Sequence, residues 1–180
     1  MLNDFIESVT LDDIRNGKII LIDKPIEWTS FDVIKYIRKS LQSRLKVKKI
    51  KVGHAGTLDP LATGLLIVCI GKETKNISKY QDLSKKYTGI IKLGETTPSY
   101  DRETKIDGTY DYKHIDENKV LKISKTFIGK QKQFPPIYSA LKKDGKRMYK
   151  YAREKIEIEI KPRDIETVSY THLRAHETLP

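Results

Sequence analysis

Gly53-His54-Ala55-Gly56-Thr57-Leu58-Asp59-Pro60-Leu61-Ala62-Thr63-Gly64-Leu65-Leu66-Ile67-Val68-Cys69-Ile70-Gly71 is the stretch whose reading decides the fold. Its first half is a loop, with Gly53 and Gly56 supplying backbone freedom that side chains forbid. Asp59 stands directly before Pro60, which steers its backbone out of the helical region and into an extended one. Thr63-Gly64 then turns the chain, and residues 65–70 form an unbroken apolar run between glycines. A short run of this kind, rich in β-branched residues, reads as a strand buried on both faces. One carboxylate is thereby presented on a stiff loop at the mouth of a central strand.

Upstream, residues 1–17 mix charged and apolar residues without a clear period, and residues 18–23 read as a strand ended by Lys24-Pro25. A helix with a legible start follows. Thr29 and Asp32 have the spacing of an N-cap and its third helical residue. Val33, Ile34, Ile37, Leu41 and Leu45 then recur at helical spacing and mark a core-facing stripe. Between residues 33 and 58 the chain carries Lys35, Arg38, Lys39, Arg44, Lys46, Lys48, Lys49 and Lys51 and no acid. A block of one sign leading into the Asp59 loop reads as an approach surface for phosphates.

Downstream, residues 73–83 read as a short helix and 85–93 as a strand. Asp116 opens a helical pattern carrying Val120, Leu121, Ser124, Phe127 and Ile128 on one side, stopped by Gln133-Phe134-Pro135-Pro136. Residues 138–142 read as a strand, Asp144-Gly145 as a tight turn, and the following residues as a short helix. Here Lys142, Lys143, Lys146, Arg147, Lys150 and Arg153 interleave with Tyr138, Tyr149 and Tyr151, a mixture suited to unpaired nucleotides. Residues 156–160 alternate isoleucine with glutamate and read as a half-exposed strand. The whole is an α+β pattern without an internal repeat or a dividing linker.

Composition agrees with that partner class. The 180 residues carry a formal net charge of +11, with charged residues making up 33% of the chain, which favours a polyanion without identifying it. The single cysteine, Cys69, has no partner for a disulfide, so a reducing compartment is expected. No stretch approaches the ~20 apolar residues of a membrane span, and Met1-Leu2-Asn3-Asp4-Phe5 lacks the features of a signal peptide. A cytoplasmic protein is expected.

The loop at 53–66 closely resembles the signature loop of the bacterial tRNA pseudouridine synthase B family. Asp23-Lys24-Pro25-Ile26-Glu27-Trp28-Thr29-Ser30-Phe31-Asp32 resembles that family's first motif, with Glu27 where glycine is common, and residues 136–153 resemble its third. The resemblance implies a mixed, largely antiparallel sheet flanked by helices, with a cleft across it. It implies that Asp59 is the catalytic aspartate, that His54 occupies or stabilises the space left by a flipped uridine, and that Tyr87 stacks on its base. Lys142 and Arg147 are expected to bind substrate. Lys24 joins them as a candidate substrate-binding residue, although its motif is expected to support the catalytic loop.

The reaction so implied is the isomerisation of a T-loop uridine of tRNA to pseudouridine by a monomer. The N-glycosidic bond is cut, the uracil turns, and a C–C bond forms to the same sugar. No cofactor or metal is called for. The resemblance holds through Glu166, making residues 1–166 the N-terminal part of a catalytic domain. Residues 167–180 resemble translated adapter sequence, so His172 and His176 are not expected to bind metal. A Gly-Thr-Tyr-Ile-Arg segment, whose arginine would pair with the aspartate, has no counterpart, since Gly108-Thr109-Tyr110 continues into Asp111. An unpaired sheet edge, with poor solubility or partial disorder, is expected in consequence. The competing readings are an inactive RNA-binding fragment, a guide-RNA-dependent dyskerin-type relative, and a generic basic scaffold.

Overall fold

The computed structural model describes residues 6–139 and 141–169. The chain forms two compact units, Met1–Thr88 and Gly89–Pro180, where the sequence shows no linker; His172 and His176 lie outside the described residues. The architecture is α+β, and every strand pair in it is antiparallel.

In the first unit, Thr10 caps α1 (Leu11–Asn16) through a capping box with Asp13. The chain then enters β1 (Lys18–Lys24). Next comes α2 (Ser30–Leu45), started by the expected box: the Thr29 side chain accepts from the Asp32 amide, and the Asp32 side chain accepts from the Thr29 amide. That closes two backbone donors that a helix start otherwise leaves open. β2 (Val52–Ala55) and β3 (Gly64–Ile70) complete a sheet of order β1-β3-β2. The ladder sets Ile20 opposite Val68, Ile22 opposite Leu66, and His54 opposite Val68 on the other side. Residues 53–55, read from the sequence as loop, are therefore strand; their glycine weakens β propensity, but pairing with β3 overrides it.

The sheet face carrying Ile20, Ile22, Leu66, Val68 and Ile70 joins Val33, Ile34, Ile37 and Leu41 of α2 in one core cluster. Burying each of these side chains contributes roughly 1.5–3 kcal/mol. The opposite face is only partly covered. A 3₁₀ helix (Gly71–Asn76) and α3 (Ile77–Gln81) follow β3, and Cys69 is fully buried. A Cβ at Gly53 would lie 2.7 Å from Ile77 Cδ1, so a larger residue there would have to push the end of the Ile77 side chain aside. Ile19, Leu21 and Leu65 stay exposed on this face, Leu65 at 63%. β3 is thus buried on one face and half open on the other, which corrects the expectation of a strand buried on both.

In the second unit, β4 (Glu95–Thr96) pairs with β5 (Gly108–Thr109), and α4 (Glu117–Thr126) is capped by Asp116 as expected but ends before Phe127 and Ile128, short of the expected stop at Gln133. β6 (Gly129–Gln133) pairs with β9 (Arg163–Thr167). The hairpin of β7 (Lys142–Lys143) and β8 (Lys146–Arg147) turns through Asp144 and Gly145, both at positive φ as a primed turn demands, and leads into α5 (Met148–Arg153).

Three expected strands are corrected. Residues 85–93 and 156–160 are not strands, and of the described residues in 138–142 only Lys142 is strand, in β7. Ile90 is 93% exposed and Ile91 84%. The reason is common to all three: alternation defines two faces, but a strand exists only where a second backbone takes up its hydrogen bonds. No helix among the described residues is long and apolar enough to cross a membrane.

At the foot of the first sheet, Tyr80 donates its hydroxyl to Glu73 Oε1 at 2.5 Å, and Asn76 donates to the same oxygen. The hydrogen bond to Glu73 is the main cause that pushes Tyr80 up to about 12 from its ordinary value of 10.0, while the same bond lowers Glu73. A raised tyrosine pKa stabilises the fold fully below the unfolded value and loses that contribution as pH rises through the folded one. Tyr80→Phe is therefore expected to lower the melting temperature by a constant margin from pH 7 to 9, a margin that closes between pH 10 and about 12. Thermal melts of both proteins across that range check it.

Candidate active site

Asp59 sits in the loop between β2 and β3, exposed, on a backbone tied down at every neighbouring peptide. Ahead of it, the amide of Leu58 donates to Ser30 Oγ at 2.9 Å while that hydroxyl donates back to the Leu58 carbonyl at 3.1 Å. Behind it, the Asp59 carbonyl accepts from the Ala62 amide at 3.0 Å, closing a turn with Pro60 at its second position. The Pro60 carbonyl accepts from the Glu27 amide at 2.8 Å and from Lys24 Nζ at 3.3 Å. Asp23 Oδ1 accepts from the Gly64 amide at 3.1 Å and secures the start of β3. Among the described residues, no cation forms an ion pair with the Asp59 carboxylate.

Lys24 is fully buried. Its ammonium donates to the carbonyls of Trp28 at 2.6 Å, Pro25 at 2.8 Å and Pro60 at 3.3 Å, which uses all three donors. Burial holds the amine below the ordinary lysine range, and the negative charge of Asp59 pushes part of the way back. A side chain so enclosed braces the loop through these three carbonyls. Glu27, where the resembled family commonly has glycine, adopts φ +67°, a region that costs a side chain roughly 1–2 kcal/mol.

His54 lies on β2, half-buried, with Nδ1 hydrogen-bonded to the Gly56 carbonyl. A carbonyl can only accept, so Nδ1 carries the proton and Nε2 is the nitrogen left for other chemistry. Tyr87 is 74% exposed in the unpaired stretch that ends this unit. In the second unit Lys142 and Arg147 face each other across the β7–β8 ladder, both exposed. The tyrosines near them are already attended by cations, Lys146 4.7 Å from the Tyr151 ring centre and Arg153 5.2 Å from that of Tyr149.

The basic block of α2 and the loop after it is not uniformly free. Arg38 donates to the Val52 carbonyl at 2.9 Å and Arg44 to the Val9 carbonyl, so two of its eight cations hold the fold. Lys35, Lys39, Lys46, Lys48, Lys49 and Lys51 are exposed. The residue that reading the sequence missed is Ser30. Its position one turn before Ile34 places a hydroxyl on the buried stripe, and a buried hydroxyl needs a partner.

Two substitutions test this bracing. Lys24→Met leaves three carbonyls without their donor and is expected to cost roughly 2–4 kcal/mol in chemical denaturation. Glu27→Gly releases the positive-φ strain and is expected to gain roughly 0.5–1 kcal/mol in the same measurement, after the entropic cost of glycine.

The chain is similar to known proteins over most of its length. Residues 42–178 match the family described as TruB family pseudouridylate synthase (N terminal domain). A tRNA pseudouridine synthase B of Parabacteroides distasonis is 50% identical over 153 residues, covering 85% of this chain and 65% of the relative. The protein of the same name from Bacteroides fragilis is 52% identical over 149 residues, covering 83% and 64%. That of Flavobacterium johnsoniae is 47% identical over 168 residues, covering 92% and 73%. The chain thus spans just under two thirds of the length of the first two. With the Asp59 loop as its centre, it belongs to the TruB family of pseudouridylate synthases.

Proposed function

We propose that the protein isomerises a uridine in the T-loop of tRNA to pseudouridine, with Asp59 as the catalytic carboxylate. The observation that supports this best is the exposed carboxylate on a loop whose flanking peptides are all hydrogen-bonded, a group held ready without being spent on the fold. The relatives' shared name, tRNA pseudouridine synthase B, supports the same reaction.

In this reading the target uridine is extruded from the T-loop at an unstacking cost of a few kcal/mol. Asp59 acts next to the sugar as nucleophile or base while the N-glycosidic bond breaks. The freed uracil turns in place and its carbon bonds the same sugar. Atoms and electrons are conserved, so neither a redox partner nor a group donor enters. His54 supports the space left in the RNA, Tyr87 stacks on the extruded base, and Lys142, Arg147 and the exposed lysines after α2 meet phosphates. Residues 1–166 make up the N-terminal part of the catalytic domain, acting as a cytoplasmic monomer. The Gly-Thr-Tyr-Ile-Arg segment whose arginine would pair with Asp59 has no counterpart among the 180 residues.

The test is nucleoside analysis of a T-loop RNA incubated with the full-length protein and with its Asp59→Asn variant. Wild type is expected to convert uridine without added guide RNA, and the variant to lose roughly 10³-fold or more of the rate while binding RNA within about 3-fold of wild type. Undiminished conversion by the variant refutes the role of Asp59. Binding without conversion by the wild type would favour the RNA-binding reading, and dependence on added guide RNA the dyskerin-type one.

A further inference from the structure

We propose that Ser30 is the positioning residue of the site, setting the direction in which Asp59 points; the inference rests on the reading of Asp59 as the catalytic group. The side chain of an amino acid leaves its Cα in a direction set by the two peptide planes that meet there. For Asp59 the first plane carries the Leu58 carbonyl, and the second carries its own. Ser30 Oγ donates to the Leu58 carbonyl at 3.1 Å and so orients the first plane. The Ala62 amide donates to the Asp59 carbonyl and orients the second. The second bond is local to the turn and follows from Pro60. The first crosses 28 residues and depends on one hydroxyl.

That hydroxyl is itself well held. Ser30 is 2% exposed and opens α2, whose buried stripe continues through Val33, Ile34, Ile37 and Leu41. It also accepts the Leu58 amide at 2.9 Å, so one oxygen satisfies both polar groups of Leu58. Lys24 and Glu27 act one residue later, on the Pro60 carbonyl, and hold the loop against the sheet without touching the planes at Asp59. The labour is therefore divided: Lys24 keeps the loop in place and Ser30 aims its carboxylate.

The experiment compares Ser30→Ala and Ser30→Thr with wild type in the full-length protein, by steady-state conversion of a T-loop RNA and by hydrogen exchange at the Leu58 amide. Ser30→Ala is expected to lower kcat roughly 10–100-fold with KM within about 3-fold, as a displaced reacting group does. Exchange at Leu58 is expected to speed up at least about 10-fold as the amide loses its partner. Ser30→Thr keeps the hydroxyl and is expected to recover kcat to within about 5-fold of wild type. Faster exchange at Leu58 with unchanged kcat, or a change confined to KM, overturns the proposal. If Ser30→Ala does not fold, Ser30→Cys, similar in size with a far weaker donor and acceptor, is judged by the same criteria. A wild type that binds RNA without converting it refutes the assigned reaction instead, and Leu58 exchange unchanged in Ser30→Ala then overturns the positioning role by itself.

Discussion

A positive charge with no exposure to water organises the first unit. Lys24 ends β1, and its ammonium collects carbonyls from the two residue segments that leave and re-enter the sheet beside it: Pro25 and Trp28 on the way into α2, Pro60 on the way back to β3. A buried ammonium is tolerated only when its donors are matched, and these carbonyls match them. Because Pro60 lies 36 residues beyond Lys24 in sequence, satisfying the charge forces the two loops together. The position of Asp59 follows from that closure.

Around it, each fastening is a small local solution. The capping box at Thr29 starts α2 on time, so that Ser30 falls on the buried stripe. The tip of the Ile77 side chain on α3 lies close over Gly53 of β2, which pairs with β3. Asp23 holds the amide of Gly64 where β3 begins. None of these contacts is unusually strong, each hydrogen bond contributing about 1 kcal/mol. Together they hold an exposed carboxylate on the loop between β2 and β3.

Much of this was legible in the residues themselves, where the signal is local. The cap at Thr29, the cap at Asp116, the Asp144-Gly145 turn and the apolar run of β3 all declare themselves within a few positions, and each element appears where they place it. What failed were statements about partners. Residues 156–160 alternate cleanly yet join no ladder among the described residues, whereas Gly129–Gln133, polar and unpromising, forms one with Arg163–Thr167. At the site, Asp59 stood out through its loop. Lys24 read as a candidate substrate-binding residue in a loop-supporting motif and Ser30 as part of a helix start; their contacts to Pro60 and Leu58 lie 36 and 28 residues away, and no spacing rule reaches that far.

Cys69 offers a practical consequence. It is the chain's one thiol, it is sealed in β3, and burial first, with the nearby Glu73 charge second, pushes its pKa above the usual value. Thiolate, the form that reacts with maleimides and iodoacetamides, is therefore scarce there and out of reach. This chain is accordingly a ready host for a single dye or spin label. A cysteine installed at the exposed Thr57, two positions from Asp59, would take the tag alone and watch the loop from within.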